Sequence, residues 1–396
     1  MFKKNTTGIL VPISGTDPRR GEWQHQAFVP NPLDEISPTL TPATYREVAN
    51  ARAALAALDS TAKQLPNPAL LRLPTLRREA QSTSALEGTF APLSEVLTAD
   101  DEAPQNPNIR EILNYVTMAE YAFHWIADGR DLTSSMLADL QGMLVRGTST
   151  ERPGSGHIRD DQVAIGQRPD ASPAELPVKA ARFIPPPPGA DLRARFQELV
   201  TWMRTDHSQE IDPVVAAAMA HYQFETLHPF HDGNGRIGRL LVVLQLQATQ
   251  ILSEPTLTVS PWFEARRAEY YDRLLAVSTE GAWDRWVHFF ATGIMESANL
   301  THRQMVGLVG AQEVLKEKVR ASSLRADSAQ MLVDYAVAHP SFTVRRVQRD
   351  MGISYGRANK LVGQLTEIGV LSPLGDNTYN RRFHAPAVMN ILLNME

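Results

Sequence analysis

The chain has 396 residues, 43% hydrophobic and 21% charged, which suits a globular protein of two or three domains and excludes wholesale disorder. A formal net charge of −5 and a pI near 6.1 argue against global attraction to nucleic acid or membrane, leaving room only for a local basic patch. With no cysteine, disulfides, thiolate metal sites and cysteine nucleophiles are excluded.

Residues 1–11 hold two lysines and too short an apolar stretch for a signal peptide. No run approaches the roughly 20 apolar residues of a membrane span. The best candidate, 240–252, is interrupted by Gln245, Gln247, Thr249 and Gln250. The expectation is a soluble, cytoplasmic protein with no membrane partner.

Residues 1 to about 40 are rich in Pro, Gly and Asn and read as an irregular strap. Helical patterning starts at Thr41-Pro42, an N-cap followed by proline at the first helical position, and runs to about 65. A second helix spans about 70–86 and stops at Gly88. Helical periodicity returns at 109–128, 133–144, 192–205, 212–226, 235–252, 262–277 and about 283–319. Between them, 151–189 is rich in glycine and proline. Within it, 157–165 reads as a short hairpin, and Pro185-Pro186-Pro187-Pro188 as a stiff extended run. After a polar hinge near 321–327 comes a small separate domain. The predicted division is 1–108, 109–320 and 321–396.

The most informative segment is His228-Pro229-Phe230-His231-Asp232-Gly233-Asn234-Gly235-Arg236-Ile237-Gly238-Arg239. A helix must end before Pro229, because the residue preceding a proline is pushed out of the α region. Gly233 and Gly235 permit a tight turn and close approach of a ligand. The helix that starts near Asn234 or Gly235 presents backbone N–H groups and a positive dipole end, a natural phosphate site. Arg236 and Arg239 lie one turn apart, with phosphate oxygens in reach of both. Asp232 supplies a hard oxygen suited to Mg2+, and His228 a base with an ordinary pKa near physiological pH. Singly these features are bland: Gly-Asn-Gly is usually a turn, a histidine after a helix a cap, two arginines a solvated face. Together, an eight-position match to H-x-F-x-D-G-N-G-R-x-x-R arises by chance about once in 10¹⁰ windows.

This segment resembles the signature of the Fic family at every signature position. His221-Tyr222-Gln223-Phe224-Glu225 is similar to the helix that precedes it in that family. The resemblance covers roughly 70–310. It implies an all-α fold: a Fic-type helical core with a short β-hairpin flap. The activity implied is AMP transfer from ATP to a Ser, Thr or Tyr hydroxyl of a target protein, with magnesium. By that resemblance His228 deprotonates the hydroxyl, Phe230 anchors the loop and Asp232 holds the metal. Gly233, Asn234 and Gly235 cradle phosphates, and Arg236 and Arg239 complete the grip, Arg239 at the γ-phosphate. A kinase branch has lysine where Gly235 stands, so glycine favours AMP transfer; a phosphocholine-transferring branch is excluded only weakly.

Thr83-Ser84-Ala85-Leu86-Glu87-Gly88 reads alone as a helix end. Beside the loop it resembles the family's inhibitory motif, which implies that Glu87, four residues after Thr83, pairs with Arg239 and holds ATP in an unproductive pose. In some relatives this glutamate also assists AMP removal, which keeps a de-AMPylating or bifunctional enzyme open. The hairpin at 157–165, with Val163, Ala164, Ile165 and Gly166, resembles the flap that docks a target segment by strand addition, with Phe183-Ile184 as its return.

Residues 342–383 read as helix, turn, helix and hairpin. Thr343 caps a helix over 344–351, Gly352 turns the chain, and Ser354 caps a second helix to about 368. Strands at 371–374 and 379–383 pair across Gly375-Asp376-Asn377. The segment resembles a winged helix-turn-helix domain. Seven Lys and Arg against three acidic residues make a modest basic footprint, with Arg357 and Lys360 on the second helix and Arg381 and Arg382 on the wing. DNA binding, and with it a transcriptional regulator, stays open beside protein contact, as does a homodimer.

Overall fold

The computed structural model describes residues 7–18, 21–64, 69–99, 106–324, 327–375 and 381–394. They are mostly helical. The chain opens with strands β1 (Gly8–Asp17) and β2 (Gly21–Pro30), followed by helices α1 (Pro42–Gln64), α2 (Ala69–Leu86), α3 (Leu93–Thr98), α4 (Pro107–Ala127) and α5 (Ser134–Val145). Then come α6 (Pro177–Ala180), α7 (Ala190–Arg204), α8 (Pro213–Leu227), α9 (Asn234–Ala248), α10 (Ser260–Ala265), α11 (Arg267–Glu280) and α12 (Trp283–Ala321). The C-terminal part holds α13 (Asp327–Ala338), β3 (Phe342–Thr343), α14 (Val344–Asp350), α15 (Tyr355–Glu367), β4 (Ser372–Leu374), β5 (Arg382–His384) and α16 (Pro386–Asn394). The all-α expectation holds. No helix among the described residues is long and apolar enough to cross a membrane.

The contacts divide the chain into two compact units. One takes Met1–Ala53, Thr117–Ile251 and Trp262–Met295, the other Ala54–Val116, Leu252–Pro261 and Glu296–Glu396. In the first, α8 and α9 form the centre. Asp212 caps α8 by accepting from the Val214 N–H (2.8 Å), with Pro213 at the first helical position. Nearly every residue of both helices is buried. They approach closely because position 238 is glycine: a Cβ there would lie 2.4 Å from Glu225 Oε1.

Residues expected as an irregular strap form a regular hairpin instead. β1 and β2 pair antiparallel over all ten residues, from Gly8↔Pro30 to Asp17↔Gly21. Val11, Ile13 and Trp23 lie on one face and pack on Ala27, Val178, Ala181 and Ile184. Pro12 is tolerated because a strand of a two-stranded sheet has an open edge. A second difference is a break in the helix expected over 262–277. Arg266, at φ −122° and ψ 30°, separates α10 from α11.

In the second unit, buried Arg77 donates to the carbonyls of Val96 (2.6 Å) and Leu97 (3.0 Å), fixing α3 to α2. In the C-terminal segment, Thr343 accepts from the Arg346 N–H (3.2 Å) and Ser354 from that of Arg357 (3.4 Å), the two caps the sequence suggests. Gly352 turns the chain at φ +63°. β5 lies between β3 and β4, with Ser372↔His384 and Leu374↔Arg382 in register. Positions 376–380 of the expected hairpin lie outside the described residues.

Candidate active site

The chain leaves α8 through His228, whose backbone is left-handed (φ 48°, ψ 60°). This conformation costs a side-chain-bearing residue roughly 1–2 kcal/mol. It reverses the chain one residue before Pro229. Phe230 then enters the core fully buried, edge-on to Phe196 (5.8 Å between ring centroids) and beside Phe224 (6.4 Å). The Asn234 side chain closes the loop on itself: its Oδ1 accepts from the Phe230 N–H (2.9 Å) and its Nδ2 donates to the Phe230 carbonyl (2.8 Å). Gly233, at φ +83°, caps α9, and a Cβ there would lie 2.7 Å from Leu144 Cδ2. Two left-handed residues thus bracket a short loop that joins an imidazole to the N-terminus of a 15-residue helix. His228 Nδ1 lies 3.3 Å from the Glu225 carbonyl. An acceptor there assigns the proton to Nδ1 and makes Nε2 the basic nitrogen.

Asp232 is held by its neighbours. Its Oδ2 accepts from Thr150 Oγ1 (2.9 Å) and Arg236 Nη2 (2.8 Å), and its carbonyl accepts from Gln141 Nε2 (3.2 Å). Oδ1 accepts no hydrogen bond among the described residues. One oriented carboxylate oxygen beside a phosphate-type helix end fits a magnesium ion, which commonly takes one or two protein carboxylates. Nearby, His231 Nδ1 is 2.9 Å from Asp161 Oδ1, and its Nε2 is 3.4 Å from Asp160 Oδ1.

The two arginines are more enclosed than a pair of solvated phosphate hooks: Arg236 is 2% exposed and Arg239 0%. The Tyr270 hydroxyl, which feels the Arg239 charge, lies 2.7 Å from His221 Nε2, while His221 Nδ1 is 2.9 Å from the Gly238 carbonyl. A carbonyl only accepts, so Nδ1 carries the proton and Nε2 accepts from Tyr270. The donor order runs from Tyr270 to His221 to Gly238. Burial pushes the His221 pKa down to about 3; the Arg239 charge adds to this and the Gly238 carbonyl opposes it. Burial first, then the Glu225 charge, raises the Tyr270 pKa well above its usual value.

A pH dependence follows. The unfolded chain protonates His221 as pH falls through about 6.5, while the folded chain resists until about 3. Stability is therefore full above 6.5 and declines as pH drops through that window. Between pH 7 and pH 5 this one group should cost about 2 kcal/mol. Equilibrium denaturation at the two pH values should show a smaller loss for His221→Gln than for the unaltered chain.

The remaining predicted residues fall in several places. Thr83 is buried in α2, and Glu87 is exposed just beyond the end of that helix. The hairpin expected within 157–165 is absent. Ile165 pairs with Phe183, its N–H donating to the Phe183 carbonyl (2.9 Å) and the Phe183 N–H donating back (3.1 Å). The partner strand is the return segment, to which Gln162 Nε2 also donates, at the Pro185 carbonyl (3.0 Å). Ala164 and Gly166 are exposed, Val163 and Ile165 half-buried. Arg357, Lys360 and Arg381 are exposed. Arg382 is half-buried and donates to Ser341 Oγ (2.6 Å) and the Ala99 carbonyl (3.1 Å), so it serves packing in this structure. Sequence reasoning missed Thr150, Gln141, Tyr270 and Arg159, all of which touch the loop or its arginines.

A profile described as Fic/DOC family N-terminal matches residues 45–124, and one described as Fic/DOC family matches 131–246. Over 108 residues the chain is 37% identical to the protein adenylyltransferase Fic of Drosophila melanogaster, covering 27% of this chain and 20% of that protein. The same comparison with Drosophila virilis gives 36% identity and 21% of that protein. The aligned part thus spans about a fifth of these curated relatives. Among solved structures, a Fic family protein from Desulfovibrio desulfuricans superposes with a TM-score of 0.55 at 21% identity, covering 88% of this chain and 97% of that one. Fic-1 from C. elegans (residues 134–508) gives 0.50 at 18%, covering 68% and 74%. These structural likenesses carry the fold. The two adjacent profile matches, one of which takes in the whole signature loop, identify a Fic/DOC N-terminal domain over 45–124 and a Fic/DOC domain over 131–246 of this chain.

Proposed function

We propose that this chain is a cytoplasmic protein adenylyltransferase. It moves AMP from ATP to a hydroxyl of a target protein. The observation that supports it most is the closed loop of residues 228–234. There Asn234 and Phe230 bind each other's polar groups, setting the imidazole of His228 against the start of α9.

In this reading the target oxygen attacks the α-phosphorus as the bond to pyrophosphate breaks. His228 Nε2 takes the hydroxyl proton. The N–H groups of Gly233, Asn234 and Gly235 and the dipole of α9 hold phosphate charge, with Arg236 pre-oriented by Asp232 and Arg239 fully buried. Magnesium held through Asp232 would offset charge on the phosphates. Val163, Ala164, Ile165 and Gly166 receive the target segment beside the Ile165–Phe183 pair.

Glu87, with Thr83 behind it, acts in this proposal as a brake on Arg239. Glu87 is exposed just beyond the end of α2, and a gain of activity in its absence is the signature of a brake. The chain is incubated with magnesium and ATP labelled at the α-phosphate, and label on protein is followed. Self-AMPylation should appear and rise several-fold in Glu87→Gly. Label that is absent from both proteins would defeat the transferase reading. Label that leaves AMP-loaded protein faster in the unaltered chain than in Glu87→Gly would favour the hydrolase.

A second reading rests on the C-terminal segment, whose element order and β3-β5-β4 sheet support a winged helix. Exposed Arg357, Lys360 and Arg381 suit a DNA backbone. A salt-sensitive shift of duplex DNA without nucleotide transfer would favour it.

A further inference from the structure

Arg159 is the least expected charged residue in the molecule. It is 1% exposed, yet among the described residues no carboxylate bonds it. All its partners are main-chain carbonyls. Nε donates to His228 (2.8 Å), Nη1 to Asp161 (2.9 Å), and Nη2 to Pro186 (2.5 Å) and more distantly Leu227 (3.5 Å). Its own backbone N–H donates to the Pro229 carbonyl (2.9 Å). Burial pulls its pKa down to about 10, only partly countered by the Asp161 charge.

Burying a cation without a counter-ion is unfavourable, so the contacts must fix something a neutral side chain would leave loose. Leu227, His228 and Pro229 are three consecutive residues at the C-terminus of α8, where carbonyls have no helical partner and the dipole end is negative. His228 stands there in a left-handed conformation that the local chain does not favour. A planar guanidinium fits several fixed acceptors at once, which an ammonium does not. The same group ties down Asp161 and Pro186, on either side of the segment that carries the Ile165–Phe183 pair.

We propose that Arg159 is a positioning residue for His228: it locks the 227–229 peptides so that the imidazole keeps Nδ1 on the Glu225 carbonyl and aims Nε2 outward. This rests on the adenylyltransferase reading for its effect on turnover, though not for its effect on the imidazole.

The test uses the full chain with Arg159→Gln and Arg159→Lys, and measures kcat and KM for ATP together with the ¹⁵N shifts of His228. Arg159→Gln should lower kcat roughly 10²-fold, as expected for a misplaced reacting group, with KM for ATP within about twofold because nucleotide contacts are untouched. The His228 shifts should move from the Nδ1-protonated pattern toward a tautomer mixture. Arg159→Lys, which keeps the charge but not the fork, should recover about tenfold of the loss and serves if the glutamine variant fails to fold. An unchanged kcat with unchanged shifts, or a rise in KM alone, overturns the proposal. If the unaltered chain transfers no AMP, the enzymatic reading falls by itself, and the shifts alone then decide whether Arg159 positions the imidazole.

Discussion

His228→Ala should lower AMP transfer by about 10²–10⁴-fold, the range expected when a general base is removed. KM for ATP should change little, because nothing assigned to the imidazole involves the nucleotide. His228 is left-handed, and alanine there retains a penalty of roughly 1–2 kcal/mol, so a slower enzyme might be blamed on a shifted loop. His228→Gly separates the two causes. Glycine adopts φ 48° freely and should keep or raise stability while losing as much activity as alanine. Steady-state transfer of label from ATP, read beside a denaturation curve for each variant, gives the comparison. A glycine variant that stays within a few-fold of full activity would remove His228 from the chemistry.

Phe230→Ala should cost about 3–5 kcal/mol of stability, the usual penalty for deleting a fully buried phenyl ring. The ring is 0% exposed and meets Phe196 and Phe224, two residues from helices that frame the loop. Collapse around the void is limited because Asn234 ties the Phe230 backbone in place from the other side. Urea denaturation should show the midpoint falling. Transfer measured well below that midpoint should also drop, since the loop loses its only aromatic anchor while His228 and Asp232 remain. A stability change under 1 kcal/mol would mean that the ring is not the anchor its burial indicates.

The loop was legible from sequence because its chemistry is contiguous. Eight informative residues fall within twelve positions, and the helix on each side follows from Pro229 and the two glycines. The N-caps at Thr343 and Ser354 were readable for the same reason, since a cap is a local bond of two or three residues. What stayed hidden is non-local and carried by the main chain. Arg159 bonds carbonyls 27 and 69 positions away, and a carbonyl leaves no trace in residue type. The hairpin β1–β2 was masked by Pro12 and Gly15, which break the appearance of an alternating strand although Val11, Ile13 and Trp23 keep its period. Phe183 was expected as the return of the flap and pairs with Ile165, but the tight hairpin within 157–165 does not form, because pattern reading favours the nearest turn. Tyr270 shares a helix with ordinary polar residues. Only the hydrogen bond to His221 and the nearby Arg239 charge set it apart.

The reciprocal bonds between Asn234 and Phe230 also bear on how the protein ages. Asparagine followed by glycine is the dipeptide most prone to spontaneous deamidation, because the next backbone nitrogen readily attacks the side-chain carbonyl carbon to close a five-membered imide. Here the Asn234 amide is 1% exposed and engaged at both its oxygen and its nitrogen, and Gly235 already lies in the first turn of α9. The native fold thereby shields the loop of residues 228–234 from chemical decay. A chain that spends time unfolded loses that shelter. Hydrolysis to aspartate would remove the amide donor to Phe230 and set a negative charge at the very helix end meant to receive one.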